Sequence, residues 1–472
     1  MYQLFNLKPF FSSLKSIQIK MLSKILHNAA QTPEKEAVVY QNKVLSYRVL
    51  AYEVYRRAAF LQQKYSHKKY LLAHSDSLEN LLNLLALMAL GRVGIIAPRH
   101  LLTEQYESIL QENDAQLLDF EIDADFNSKE FKIKETKFSD YFLGVLTSGT
   151  TGNPKIIWKD YQSWVSAFQH QSDVFKITEN DRLFVLDALG YSANLNSALH
   201  ILWQGGTLIM TTLQSATQWT KQIEQQAVSS VFLVPSHYRL LLKSAEKIPQ
   251  IKSLVSAGEK LDYKTAKALM QICPNACLTE YYGAAELGHI SFHQNQDILD
   301  FGYSVGKAFP EVKISIINQE ISVESPYISP DYRGKKTVHD LGYFEQGRLV
   351  ILGRTGRMFN RRGLNVFAEE IENCVQELDF INEVAAIGQL REDGSHDIYL
   401  VYSVYTDFTK SEEYPRLIKQ YLLEKLPPAK HPKRIIALEN LPHKDHGKID
   451  YQAIARTLPQ PTPLPLTPEG RL

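Results

Sequence analysis

The sequence is poor in cysteine. Cys273, Cys277 and Cys374 are the only three in 472 residues. So sparse and odd a set excludes a disulfide-stapled scaffold and suits a reducing compartment, so a cytoplasmic location is expected. Cys273 and Cys277 are four apart with no cluster of His or Cys beside them, which favours a structural role over a metal site. Long apolar runs are missing too. The richest, LLNLLALMAL (81–90), is interrupted by Asn83 and followed by Arg92. It is too short to cross a bilayer and reads as a buried helix, so no transmembrane segment is expected. Charge of one sign is not in excess: 52 basic side chains face 52 acidic ones. No overall field then draws the chain to nucleic acid or an anionic membrane, and nucleic acid is not an expected partner.

At this length two or more domains are expected. Residues 1–20 are mildly basic and amphipathic, without the apolar core and small-residue cleavage site of a secretory signal. They read as an N-terminal extension, either a peripheral arm or the product of an early start, because Met21 opens what resembles a complete domain. From about 140 to 285 short apolar runs (YFLGVL, RLFVLDAL, GTLIM, SVFLVP, SLVSAG) alternate with helical spacing (YQSWVSAFQ, DYKTAKALMQI). That alternation predicts an α/β fold, with parallel sheets layered between helices. KKYLLAH and GIIAP give a similar pattern earlier. After about 353 the pattern becomes a small α+β set: VFAEEIENCVQEL and EYPRLIKQYLLEKL helical, EVAAIGQL, DIYLVYSVY and RIIAL extended. The end, LPQPTPLPLTPEGRL, is proline-rich and reads as an extended tail.

The stretch LTSGTTGNPK (146–155) follows one of the apolar runs, and a helix is expected from near Tyr161. Backbone N–H groups and hydroxyls in such a loop suit phosphate oxygens, Gly149 and Gly152 allow close approach, and Lys155 adds a positive charge. The Walker A pattern does not fit, since Thr150 stands where that motif needs lysine. Composition alone leaves a surface turn equally open.

Taken with four further segments in order, LTSGTTGNPK resembles the signature loop of the adenylate-forming (AMP-binding) superfamily, and in look is most similar to bacterial acyl-CoA synthetases. SAGEKL (256–261) resembles the family's adenine-contacting turn, YYGAAE (281–286) its Tyr-Gly-x-Thr-Glu segment, and the run from Asp340 to Glu372 its ribose site, hinge and first helix of a mobile domain. LPHKDHGKID (441–450) resembles its closing lysine motif. The resemblance implies a large N-terminal domain (21–353), a hinge (354–357), a small mobile C-terminal α+β domain (358–458) and a tail (459–472). It implies that Thr147, Ser148, Gly149, Thr150, Thr151, Gly152 and Lys155 cradle the phosphates of ATP. It assigns the adenine to Gly258, Glu259, Tyr282 and Gly283, the ribose to Asp340 and Arg354, Mg²⁺ to Glu286, and catalysis to Glu286 and Lys448. Without the motif context, Glu286 and Lys448 would read as solvated charges, Tyr282 as core, Asp340 as a turn residue and Arg354 as a surface ion pair.

The implied chemistry joins a carboxylic acid to the α-phosphate of ATP, then transfers the acyl group to coenzyme A. Positioning and electrostatics carry such a reaction. Several positions depart from the family: Ala285 replaces its threonine, Val338-His339 its Thr-Gly, Gly356-Arg357 its usual hinge residues, and Asn360 and Arg362 more common neighbours. Ser192 falls where amino-acid activators carry an aspartate, which disfavours a substrate ammonium. Tyr191, Ala193, Leu195 and Leu199 suit either an apolar pocket or core. The expected substrate is therefore a fatty or other apolar acid. Two alternatives stay open: an acyl-carrier protein as acceptor, and a nucleotide-binding protein without catalysis.

Overall fold

The computed structural model describes residues 20–97, 103–119, 140–147, 155–187, 189, 191–212, 215–354, 357–361, 364–391, 395–405, 413–444 and 448–459. The expectations for the N-terminal arm up to residue 19 and for the tail from residue 460 lie outside them. The chain divides into two compact units, one of residues 1–314 and 323–338, the other of residues 315–322 and 339–472.

The first unit is α/β, as the alternation predicts. Its larger sheet has nine strands. Across it run Lys307–Ala308, Gly288–Gln294, Cys277–Ala284, Ser253–Ala257, Ser230–Leu233, Arg182–Leu186, Thr207–Thr211, Glu36–Tyr40 and Lys43–Ser46. The central pairs are parallel and the two ends antiparallel. Ser230–Leu233, Thr207–Thr211 and Ser253–Ala257 are buried along their whole length, as parallel strands covered on both faces must be. One face packs Val231, Leu233, Leu254 and Leu278 against Trp219, Tyr238, Leu241 and Leu269 from the covering helices. On the other face Phe175 stacks on Tyr281, ring centroids 5.5 Å apart.

A second sheet has the order Ala115–Leu118, Lys69–Leu72, Val93–Ile96, Leu143–Thr147, Lys155–Lys159. The first four strands are parallel and the last is antiparallel. Two local details differ from the periodicity. KIIWK forms a strand before the helix Tyr161–Val165, which Asp160 caps by accepting from the Ser163 N–H at 2.8 Å. YQSWVSAFQ breaks into Tyr161–Val165 and Phe168–Phe175, which lets Trp164, Phe168 and Phe175 all reach the core. The run 81–90 is, as expected, buried helix within and just beyond Ser77–Ala89. No helix among the described residues is long and apolar enough to span a membrane.

The second unit begins with a four-stranded antiparallel sheet, Lys313–Ile317, Glu320–Glu324, Asp340–Glu345 and Arg348–Arg354, whose first strands straddle the division. A hairpin of Met358–Arg361 and Leu364–Phe367 follows. Then a sheet of Ile381–Leu390, His396–Val404 and Arg434–Ala437 carries helices on both faces. Alternation along one strand sorts them: Ile398, Leu400 and Tyr402 meet Ile371, Val375, Ile418 and Leu422, while Tyr399 and Val401 meet Ile454. This is the small α+β set expected from the sequence. Cys273 and Cys374 are buried free thiols, which burial pushes up to about 12 and about 11.

Candidate active site

In the first unit, strands Leu143–Thr147 and Lys155–Lys159 pair antiparallel, with Thr147 opposite Lys155. They form the base of the glycine-rich loop, whose Ser148, Gly149, Thr150, Thr151 and Gly152 lie outside the described residues. Thr147 Oγ1 donates to the Lys155 carbonyl at 3.3 Å. The exposed Lys155 Nζ donates to Tyr332 Oη at 2.6 Å, and this bond, with the nearby Glu286 and Asp331 charges, raises its pKa.

The SAGEKL turn leaves strand Ser253–Ala257 at Gly258, where φ is 92°, a conformation open to glycine. Glu259 lies 3.9 Å from the Arg239 guanidinium. Beneath the turn sits a polar knot absent from the sequence reading. The buried Glu280 carboxylate accepts from Lys260 Nζ at 2.6 Å, from the Leu261 N–H at 2.7 Å and from His293 Nε2 at 2.5 Å. Burial alone would raise the Glu280 carboxyl, but Lys260 and His293 outweigh it and hold it below the usual carboxylate range. Glu280 therefore ties the 258–261 turn to the strand that carries Tyr282 and Gly283. Tyr282 is half-buried on the opposite face of that strand from Tyr281. At Gly283 a Cβ would stand 2.5 Å from the Gly288 carbonyl oxygen, so the return of the chain there needs glycine.

Just beyond that strand lie Ala285 and Glu286. The Ser329 N–H donates to the Glu286 carbonyl at 2.8 Å, and Ser329 Oγ donates to the Ala285 carbonyl at 3.2 Å. Behind Ser329 lies Lys159, 2% exposed, whose Nζ donates to Ser329 Oγ at 2.7 Å. Burial pushes the Lys159 ammonium down to about 8, against the opposing pull of Glu286 and Asp160. The Glu286 carboxylate itself takes no hydrogen bond or salt bridge among the described residues, so its oxygens are open to a hard cation. Lys155, Gly258, Glu259, Tyr282, Gly283 and Glu286 thus lie on the loops and strand ends of one unit. Ser192 opens helix Ser192–Gln204, while Leu195 and Leu199 are core, 1% and 0% exposed.

The second unit carries the other candidates. Asp340, 3% exposed, stands opposite Arg354 across the antiparallel pair. His339, just before it, has a φ of 64°, which explains why glycine suits that position, and its Nδ1 lies 2.5 Å from Glu320 Oε1. The Lys448 carbonyl accepts from the Lys444 N–H at 2.8 Å. Asp450, two residues on, caps helix Tyr451–Thr457. Arg357 was expected only as part of the hinge, and Gly356 lies outside the described residues. The Arg357 guanidinium bonds Glu369 at 3.0 Å and Glu372 at 2.6 Å and sits 3.9 Å from the centre of the Tyr451 ring. Neither Lys159 nor the Glu280 knot stood out in the sequence. The signal for Lys159 was its alternation with Ile157 in KIIWK, legible only once that segment is taken as a strand.

Comparison with known proteins agrees with the resemblance. The profile of the family described as AMP-binding enzyme matches residues 25–334. VraA of Staphylococcus epidermidis, provisionally named a long chain fatty acid-CoA ligase, is 24% identical over 446 residues, covering 91% of this chain and 96% of its own. The D-alanine–D-alanyl carrier protein ligase of Bacillus licheniformis is 25% identical over 355 residues, 67% of this chain and 70% of its own. Among solved structures, the o-succinylbenzoate coenzyme A synthetase MenE of Bacillus subtilis in complex with AMP has a TM-score of 0.79 at 19% identity, covering 93% of this chain and 99% of that one. The chain belongs to the AMP-binding enzyme family.

Proposed function

We propose that this enzyme activates a carboxylic acid, fatty or otherwise apolar, and passes it to coenzyme A. In the first half-reaction a substrate carboxylate oxygen bonds to the α-phosphorus of ATP, the bond to the bridging oxygen breaks, and pyrophosphate leaves. In the second, the coenzyme A sulfur bonds to the acyl carbon, AMP leaves, and the thiol proton passes to solvent. The observation that best supports this reading is Glu286, held by its backbone on Ser329, with a carboxylate that takes no hydrogen bond or salt bridge among the described residues, in the motif position of a metal ligand. No group of three or more His, Cys, Asp or Glu fit to hold a metal occurs among the described residues. One carboxylate completed by ATP phosphates and water suits Mg²⁺, which keeps part of its own shell. Bound there, Mg²⁺ would neutralise phosphate charge.

The chain's own residues then divide the work. Thr147 to Gly152 and Lys155 hold the leaving phosphates, and Gly258, Glu259, Tyr282 and Gly283 hold the adenine. Asp340 and Arg354 hold the ribose, and Lys448 places a point charge on the reacting oxygens. A turn about 354–357, between a large domain ending at 353 and a small one from 358, exchanges the groups needed for the two half-reactions. The match to VraA over nearly its whole length supports a fatty acid and coenzyme A. The D-alanyl carrier protein ligase match supports a second reading, transfer to a carrier protein. The test is carboxylate-dependent exchange of pyrophosphate into ATP over a panel of acids, followed by product formation with coenzyme A or a carrier. Exchange with apolar acids and an acyl-CoA product is the expected result. Exchange driven by amino acids alone would overturn it.

A further inference from the structure

Lys159 is a lysine where burial argues against one. It lies on the inward face of strand Lys155–Lys159, shared with Ile157, and is almost wholly enclosed. Burying an ammonium is costly unless it is paired, yet the one hydrogen-bond acceptor it has among the described residues is a neutral hydroxyl, Ser329 Oγ, with the Glu286 and Asp160 charges acting on it without a bond. The Trp164 ring, 5.6 Å from Nζ, adds a weaker contact. What Ser329 does next gives this arrangement a purpose. Having accepted from Lys159, its hydroxyl directs its own proton to the Ala285 carbonyl, while its N–H holds the Glu286 carbonyl. One residue thus grips two successive peptides at the turn that presents the Glu286 carboxylate, and Lys159 fixes the rotamer of that residue. Ala285 has no hydroxyl with which to brace the turn from its own side.

We infer that Lys159 is a positioning residue for the metal–nucleotide site, acting through Ser329 to hold Glu286 where it meets the magnesium of Mg·ATP. The inference rests on reading Glu286 as the magnesium ligand. Losing a partner behind a metal ligand typically costs about 10–100-fold in metal affinity. Because Lys159 acts on Glu286 and not on the adenine or ribose contacts, its loss should weaken magnesium-dependent binding and spare binding that needs no metal.

The experiment measures binding of ATP and of AMP by calorimetry across a magnesium titration. It compares the full-length protein with Lys159→Met, Ser329→Ala, the double variant and Ser329→Thr. Lys159→Met and Ser329→Ala should each raise the magnesium concentration for half-maximal ATP binding about tenfold, leaving AMP affinity unchanged. The double variant should be no worse than the worse single one, and Ser329→Thr, which keeps the hydroxyl, should stay near wild type. Should Lys159→Met fail to fold, Ser329→Ala carries the same test. Equal weakening of ATP and AMP, an unmoved magnesium midpoint, or additive losses in the double variant would overturn the inference. So would ATP binding by the wild type that ignores magnesium. A wild type that binds Mg·ATP but shows no acid-dependent exchange would instead overturn the proposed activity, while the magnesium midpoints would still decide the role of Lys159.

Discussion

Replacing Glu280 by alanine tests whether the knot beneath the 258–261 turn, the proposed adenine contact, holds the site together. The substitution removes the acceptor of three hydrogen bonds, from Lys260 Nζ, His293 Nε2 and the Leu261 N–H. Lys260 is partly exposed, with 26% of its side chain open to solvent, and can turn to water. The His293 side chain is fully enclosed, and its Nδ1 already lacks a partner. The Leu261 N–H is likewise buried. Each donor left unsatisfied costs roughly 1–3 kcal/mol, so the two buried donors together cost roughly 2–6 kcal/mol. The expected loss is therefore about 2–6 kcal/mol, read by chemical denaturation at neutral pH. Its pH dependence has a fixed sign. Glu280 is held below the ordinary carboxyl pKa of 4.5, so its contribution is fully present above that value and is lost as pH falls through the lower folded value. The gap between wild type and Glu280→Ala should narrow on acidification. Affinity for AMP should fall as well, because Leu261 closes the turn that holds Gly258 and Glu259. A stability change below about 1 kcal/mol at neutral pH, the scale of an exposed pair, or a gap that widens in acid, would refute the reasoning.

Lys448→Ala should abolish acid-dependent exchange and leave ATP binding by calorimetry nearly unchanged, since a group acting on the transition state contributes little to ground-state affinity. Ser192→Asp should fold normally, as a carboxylate at a helix N-terminus is favoured, yet lower kcat/KM for apolar acids by leaving an unpaired charge beside the alkyl chain. Unchanged kcat/KM would place the acid elsewhere. For the wild type, log(kcat/KM) should climb with acid length by about 0.8 kcal/mol per methylene and break where the pocket ends. Burial, with Glu372 adding to it and Arg357 opposing it, pushes Glu369 up to about 7. A carboxyl raised in the folded state lends stability below its ordinary 4.5 that is lost as pH rises through about 7. Denaturation midpoints of Glu369→Gln should therefore lose the downward slope that the wild type shows across that window.

What the sequence made legible follows from how far apart the interacting residues lie along the chain. Buried parallel strands such as RLFVL and SLVSA are continuous apolar runs, so their existence could be read locally, as could the α+β pattern after 353. KIIWK escaped because its lysines at both ends mimic a loop, although Lys159 is buried by its pairing with Leu143 and by Ser329, 170 residues away. The Glu280 knot joins residues 260, 261, 280 and 293, each unremarkable by type, and only the register of three neighbouring strands brings them together. Arg357 was legible as a position and not as an interaction, because Glu369, Glu372 and Tyr451 are gathered by the folding of the second unit.

The departures at 285 and 338–339 bear on whether the site has decayed. The family's glycine before Asp340, the proposed ribose ligand, is explained by backbone angle: His339 adopts a φ of 64°. A residue with a Cβ pays about 1–2 kcal/mol there, and histidine is among the residues that enter this region more often. The backbone thus keeps the conformation a glycine would give it, and Asp340 stays buried opposite Arg354. At Ala285 a hydroxyl is missing, but the carbonyl of the same residue is held by Ser329, which Lys159 fixes in turn. Under the proposed reading both contacts serve nucleotide binding, which a protein without catalysis would need as well; it is Lys448, proposed to act on the reacting oxygens, for which such a protein would have no use. Both departures alter a side chain while the backbone there is held by contacts the chain itself supplies, so neither by itself argues against the proposed activity.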